Sequence, residues 1–296
     1  MLCPTLITHA DEGRRNPLQD TGMLIAEPFI ADPLVAEPLV AESLMPGVIS
    51  YETPRVADDY CRWDDAGSWL LGYPFIPPAL GLDDLPGAHL VDLGCGPGDL
   101  TRWIAERHVV RTTAVDASAA MLDLARAQYP HPAVDYRLSV GDGMPFLADG
   151  CADAAMASFL FTCIDDRSVM QTLVDEVARV LRPGGRFTIL MPNPDQTHDA
   201  AFEGFHRGEP GARYRSGDTL PVRLRRVDGS WAGITNTYWP RETFQEVLAT
   251  AGFTGSTELT PLLADAHGVA DPALIASRPW TAERERPPFI LITATR

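Results

Sequence analysis

From residue 89 onward, short apolar runs alternate with stretches of helical period, and this rhythm predicts alternating strands and helices. His89–Leu93 is a short apolar run that reads as a strand, and Leu100–His108 follows with helical spacing. Arg111–Val115 and Val134–Val140 read as strands, with a helix over Ser118–Gln128 between them that Ser118 caps. Ala154–Phe161 predicts another strand. Arg167–Leu181 predicts an amphipathic helix stopped by Arg182-Pro183-Gly184-Gly185, and Arg186–Met191 the next strand. Arg241–Ala251 reads as a helix ended by Gly252, and Phe289–Thr295 as a final strand. Alternation of this kind implies a parallel sheet covered by helices on both faces.

Three stretches depart from the rhythm. Within residues 1–50, Ala26-Glu-Pro-Phe-Ile, Ala31-Asp-Pro-Leu-Val, Ala36-Glu-Pro-Leu-Val and Ala41-Glu-Ser-Leu-Met form a five-residue repeat. Proline at that spacing blocks helix and central strand, so the segment reads as a flexible acidic arm with extended, polyproline-like stretches. The alternative is a docking segment for a partner or a second copy of the chain, with Phe29, Leu34 and Leu39 as anchors. Residues 55–72 show helical spacing, with Val56, Tyr60, Trp63 and Trp69 inward, before Pro74, Pro77, Pro78 and Pro86 break the chain. Across 194–240 a polar, arginine-rich stretch leads into Val222–Val227, Asp228-Gly229 and Ser230–Tyr238, and Asp-Gly between such runs signals a hairpin. This insertion is placed to cap the crevice at the C-terminal ends of the strands, where open α/β sheets bind ligands.

Composition narrows the function. The net charge is −16, with 40 acids against 24 bases, which lacks the cationic footprint of a nucleic-acid binder. Every one of those bases is arginine, so lysine Schiff-base and lysine general-base chemistry are excluded. The Arg, Ala, Gly and Pro bias fits a GC-rich bacterial source. No apolar run reaches the length of a membrane span, and the first 15 residues lack the basic start of a secretory signal. Cys3, Cys61, Cys95, Cys151 and Cys163 are scattered without a C-x-x-C pair, so free thiols of a cytoplasmic protein and no metal site are expected.

The segment Val91-Asp92-Leu93-Gly94-Cys95-Gly96-Pro97-Gly98-Asp99 follows a strand and opens a helix. Its glycines permit a sharp turn and close approach of a ligand. A dinucleotide loop would carry its third glycine where Asp99 stands, and a carboxylate there would repel a pyrophosphate. Asp116 lies 20 residues beyond Gly96, at the predicted end of the second strand. Asp92 reads either as an acceptor for loop amides or as a neighbour of a charged ligand group.

Taken with Ala114-Val115-Asp116-Ala117-Ser118 and Met121, Gly141-Asp142-Gly143-Met144-Pro145-Phe146, Ser158-Phe159-Leu160-Phe161 and Arg179–Gly185, this loop resembles the class I S-adenosylmethionine-dependent methyltransferases of the small-molecule branch. The resemblance runs from about residue 55 to 193. It implies a Rossmann-like, doubly wound seven-stranded sheet over 51–296, with a helical lid at 51–88, an α/β cap insertion at 194–240 and the flexible arm at 1–50. It implies S-adenosyl-L-methionine as cofactor, bound by Asp92, Gly94, Cys95, Gly96 and Gly98. Asp116 would hold the ribose hydroxyls, Ala117 and Met121 would lie at the adenine, Asp142 with Gly143 and Met144 would meet its amino edge, and Ser158 and Phe159 would complete the pocket. The family's usual Tyr-Asp start is missing from the N-terminal helix, which leaves Tyr51 and Tyr60 without a clear lid role.

Methyl transfer is an in-line displacement that needs alignment and exclusion of water, and a base only for a protonated acceptor. His198, His206 and Tyr238 are the candidates for that base, with Asp195 beside them. Tyr238-Trp239 resembles an aromatic pair that borders the substrate in this family, with hairpin packing as the alternative. Arg207, Arg213, Arg215, Arg223, Arg225 and Arg226 read as a solvated hairpin face, or else as a dock for an anionic or carboxylated acceptor. Glu203, Glu209, Asp218 and Asp228 are interleaved and weaken that local field. The expected function is methylation of a small organic acceptor at O, N or C, as tailoring in bacterial secondary metabolism, with no nucleic-acid or membrane partner. The alternatives are a cofactor-bound enzyme that catalyses cyclisation or rearrangement without transfer, and a non-catalytic partner subunit joined through the arm.

Overall fold

In the computed structural model the alternating pattern becomes a seven-stranded sheet in the spatial order Val134–Leu138, Arg111–Asp116, His89–Leu93, Ala152–Ser158, Leu181–Pro192, Phe289–Thr295 and Thr254–Leu259. The structure describes residues 62–139, 141, 143–197 and 201–296. The repeat arm and its docking role, the first part (55–61) of the helix expected over 55–72, and Tyr51, Tyr60, Asp142 and His198 lie outside the described residues; of the rest of that stretch only Ala66–Leu71 is helical. Strands β1 (His89–Leu93), β2 (Arg111–Asp116), β3 (Val134–Leu138), β4 (Ala152–Ser158) and β5 (Leu181–Pro192) run parallel. Strand β10 (Phe289–Thr295) lies antiparallel between β5 and β9 (Thr254–Leu259), so the sheet is mixed and not wholly parallel. Strand β9 escaped the sequence pattern because it is an edge strand exposed at every residue and carries no alternation.

The strands are apolar on both faces because helices cover both faces. Along β1, Val91 and Leu93 join one core cluster and Leu90 the other; along β10, Ile290 and Ile292 face one way and Phe289 and Leu291 the other. The first core receives Met170, Val174 and Val177 from the amphipathic helix Arg167–Val180 and Phe244, Val247 and Leu248 from the helix Arg241–Thr250. Burying each such side chain contributes about 1.5–3 kcal/mol.

The second core shows what proline does here. The stretch expected as a break forms short turns, Tyr73–Phe75, Ile76–Leu80 and Leu82–Asp84, which follow a helix at Ala66–Leu71. Prolines stand in the first positions of the first two turns, where a missing N–H leaves no hydrogen bond unmade. Leu70, Leu71, Ile76 and Leu80 are thereby buried. Strand β4 stops at Ser158, three residues earlier than its apolar run suggested. Phe159 takes φ 57, and the chain enters a tight turn at Phe161–Cys163.

The insertion after β5 is a three-stranded antiparallel sheet of β6 (Phe205–Arg207), β7 (Thr219–Arg225) and β8 (Trp231–Thr237). Its one helical element among the described residues is the turn Pro194–Gln196. Trp239 is buried and donates from Nε1 to the Ile164 carbonyl at 2.8 Å, which ties the exit of the cap to the main core. The Asp64 amide donates to the Arg225 carbonyl at 2.8 Å and so ties the cap to the segment before the first helix.

The loop between β3 and β4 is held from the helix Arg167–Val180. Arg179 donates to the carbonyls of Met144 at 3.1 Å and Leu147 at 2.8 Å, and pairs with Glu176, which accepts from the Met144 amide at 2.6 Å. The Arg179 guanidinium holds the Glu176 carboxyl below the usual range. Its contribution is therefore complete above the unfolded carboxyl pKa and is lost as pH falls through the lower folded value. Arg179→Met is expected to lower unfolding free energy by about 1–2 kcal/mol at pH 7. The smaller deficit of Glu176→Gln should shrink toward about pH 3. Denaturant titrations across pH check both.

Candidate active site

The order of the parallel strands reverses between β1 and β4, and a crevice opens outside their C-terminal ends at that point. A cavity of about 280 Å³ occupies it. Its floor is the end of β1 with the glycine loop, the end of β2, and the end of β4. Residues of 63–73 form one wall and the inner face of the cap forms another.

Gly96 and Gly98 sit at positive φ for different reasons. A Cβ on Gly96 (φ 53) would meet nothing within 4 Å, so the backbone is open toward the cavity. A Cβ on Gly98 (φ 85) would stand 2.6 Å from the Tyr136 hydroxyl and 3.0 Å from Ala125, so this glycine lets the helix Asp99–Arg107 close on its neighbours. Gly94 lines the cavity beside Leu160.

Asp116 ends β2 and faces the crevice. Its Oδ2 accepts from the Gly96 amide and its Oδ1 from the Ser118 amide, both at 2.8 Å. Each carboxylate oxygen keeps a further acceptor site. Burial pushes the carboxyl above its usual range, against the pull of those amides. Ser118 caps the helix Ala119–Gln128 by accepting from the Met121 amide at 3.2 Å, and this sets Met121 into the cavity wall beside Ala117. Ser158 and Phe159 also line the cavity, and Ser158 Oγ is buried without a hydrogen-bond partner.

Of the cofactor set expected from the sequence, Gly94, Gly96, Asp116, Ala117, Met121, Ser158 and Phe159 therefore line one cavity. Asp92, Cys95, Gly98, Gly143 and Met144 do not. Asp92 is buried behind the loop and accepts from Thr101 Oγ1 at 2.5 Å. Cys95 packs with Leu122, Ala125 and Tyr136, and burial pushes its thiol up. Met144 belongs to the core.

The proposed bases fare differently. Strand β6 alternates, so Phe205 and Arg207 line the cavity while His206 turns to the outer face. There its ring lies 4.6 Å from Trp231, and Arg223 stands opposite it in the ladder. Burial, with Arg223, holds the imidazole below its ordinary pKa. Tyr238 lies 6.0 Å from Tyr214, ring to ring, and is absent from the cavity wall, as is Trp239. The aromatic pair thus anchors the cap. Among the described residues no histidine lines the cavity.

Several lining residues were not among the site residues expected from the sequence, Asp65 and Asn236 among them. Asp65 precedes the helix Ala66–Leu71, and burial, with Asp99 and Asp64 nearby, raises its pKa to about 7 against the pull of Ser68 and Tyr73. Asn236 is buried on β8. Arg207 reads from the sequence either as part of a solvated hairpin face or as part of a dock for an anionic acceptor, and the structure turns it into the cavity wall. The alternation of β6 was the signal that could have separated it, but three residues are too few for a pattern.

Residues 91–189 match a family model described as a methyltransferase domain. The N-demethylindolmycin N-methyltransferase of Streptomyces griseus is 32% identical over 207 residues, covering 69% of this chain and 86% of that protein. The O-methyltransferase resE of Aspergillus sclerotiorum is 32% identical over 157 residues, 49% of this chain and 56% of that protein. The solved S-adenosylmethionine-dependent methyltransferase of Mesorhizobium loti shares the fold, with a TM-score of 0.53 at 24% identity over 79% of this chain and 99% of that one. The chain belongs to the S-adenosylmethionine-dependent methyltransferases. No helix among the described residues is long and apolar enough to cross a membrane.

Asp92 offers a check on the buried charge under the loop. Burial raises its pKa to about 7, Asp116 and Asp99 adding to the effect and Thr101 opposing it. A folded pKa above the unfolded one means stability is greatest at low pH and is lost as pH rises through about 7. Asp92→Asn keeps an acceptor for Thr101 and removes the ionisation. It should gain on the order of 2 kcal/mol over the parent at pH 8.5 and little at pH 5, as measured by urea unfolding.

Proposed function

We propose that the cavity binds S-adenosyl-L-methionine at its loop end and places a small organic acceptor under the cap for methylation at an O, N or C nucleophile. The observation that carries this is one cavity with two unlike ends: an open Gly96 backbone and the Asp116 carboxylate at one, and the mainly apolar inner face of the cap at the other. The residues present fit the cofactor. Asp116 retains acceptor sites for the ribose hydroxyls, Gly96 leaves room for close backbone approach, and Met121 with Ala117 offers an apolar wall for the adenine. Ser158 Oγ is an unmet polar group of the same wall. Burial raises the pKa of both Asp65 and Asp116, which disfavours their charged forms, and a cationic ligand beside them would draw them back toward ionisation. When bound, the cofactor supplies a methyl carbon activated by its positive sulfur.

The chain's own contribution is positioning and exclusion of water. Trp63, Gly67 and Tyr73 of the described part of the 51–88 segment border the cavity, which supports a covering role for that segment. The cap face closes the opposite side. Alignment of two reactants in such a site can supply about 7–11 kcal/mol of the barrier. With His206 and Tyr238 turned elsewhere, we assign no lining base; an acceptor with an available lone pair, such as a neutral amine, needs none. The names of the relatives, an N-methyltransferase and an O-methyltransferase of fungal origin, support a tailoring role on a small metabolite.

The test is incubation with methyl-labelled cofactor and a panel of small amines, phenols and carboxylic acids, read by product mass. A labelled product one methylene heavier than its acceptor is expected. It should be lost in Gly96→Ala, whose Cβ would occupy the open cradle. An altered acceptor of unchanged mass would favour rearrangement over transfer.

A further inference from the structure

The cap sheet turns a single row of side chains inward from each strand: Phe205 and Arg207 from β6, Val222 and Leu224 from β7, Ile234 and Asn236 from β8. All but two are apolar. Arg207 is 3% exposed, and no salt bridge to it exists among the described residues. Its hydrogen bond among the described residues is a long one, from Nη1 to the Asn193 carbonyl at 3.4 Å, and its Nε is buried with no acceptor among them. Burial depresses the guanidinium to about 10, with Tyr238 opposing the fall, so it is still charged at neutral pH. The other arginines of this region stand differently. Arg213, Arg215 and Arg223 are exposed, Arg226 is half-buried and lies over the Trp63 ring at 5.4 Å, and Arg225 is half-buried at the cavity edge next to Leu224, which leaves Arg207 as the fully buried one. The acids that line the same cavity are committed elsewhere: Asp64 to Arg278 at 2.7 Å, Asp116 to two backbone amides, and Asp65 to the entrance of the first helix.

A buried cation without an anion is costly, and its removal in favour of an apolar side chain of similar size is commonly neutral or stabilising. Its presence in a ligand cavity, with donors unmet, points to a ligand that brings the missing charge. Guanidinium matches carboxylate geometry, with two parallel N–H donors. We infer that the acceptor carries a single carboxylate, held by Arg207, on an apolar body that lies against Phe205, Leu224 and Ile234. This rests on the proposed reading of the cavity as a methyltransferase site and names the substrate class. The Arg207 contact is a handle that orients the acceptor; a neutral or cationic acceptor would leave the guanidinium buried and unpaired.

The test is isothermal titration of the full chain, saturated with S-adenosylhomocysteine, with phenylacetate, 3-phenylpropionate and indole-3-acetate, each against its primary amide. At least one acid should bind about tenfold or more tighter than its amide, the difference expected of a charge-assisted hydrogen bond. Arg207→Met should erase the preference while S-adenosylhomocysteine still binds, and its ligand-free melting temperature should equal or exceed that of the parent. Arg207→Lys, which keeps the charge but loses the fork, should retain part of the preference. Equal affinity for acid and amide, or no saturable binding of any of the three acids, overturns the inference. So does a lower melting temperature in Arg207→Met, which would mean the residue serves the fold through Asn193. Failure of the parent to bind S-adenosylhomocysteine would instead overturn the proposed function.

Discussion

The carboxylate of Asp116 is the joint on which the cavity depends. It receives one amide from the glycine loop after β1 and another from the turn after β2. Two parallel neighbouring strands thus have their C-terminal ends tied together at the mouth of the crevice. A carboxylate accepting two backbone N–H groups fixes the loop without any side chain filling the space above it. The same group is then presented, with acceptor sites to spare, to whatever enters. Burial works against its ionisation while the amides work for it. A positively charged, hydroxyl-bearing ligand relieves that opposition, which is why this corner suits a sulfonium nucleoside better than a pyrophosphate.

The second determinant is the two-residue period of the cap strands. A one-residue slip in β6 would send His206 inward and Arg207 outward and give the cavity a base in place of a cation. The register is pinned by the pairs Phe205–Leu224 and Arg207–Val222, by the inward apolar set, and by the stack of His206 and Trp231 outside. Trp239 and the Asp64–Arg225 backbone bond then fix the whole sheet over the crevice. The chemical character of the cap end of the cavity is thus set by sheet geometry, and it differs from what residue types alone suggest.

Much of this was legible from the chain. The strand–helix rhythm from residue 89, the glycine loop and the position of Asp116 are local patterns, and most boundaries they gave agree with the structure to within a residue or two, while β4 ends three residues early and β5 begins at Leu181, five residues before the expected Arg186. The N-cap of Ser118 is local as well. The antiparallel last strand was not legible, because strand direction is settled by how a distant segment returns to the sheet. Strand β9 lacks alternation, and the proline-rich turns at 73–84 owe their form to burial against the sheet. The site divided the same way. Residues in the loop and at strand ends were found, while Asp65, Asn236 and the inward turn of Arg207 depend on contacts between segments remote in sequence. Asp92 and Cys95 belong to the right motif but support it from beneath.

The central claim is that Asp116 grips the ligand as well as the loop. Calorimetric titration with S-adenosylhomocysteine of the parent chain and of Asp116→Ala, both shown by thermal melting to be folded, tests it most directly. Loss of two charge-assisted hydrogen bonds should weaken binding by at least about a hundredfold. Affinity equal to that of the parent would contradict the account.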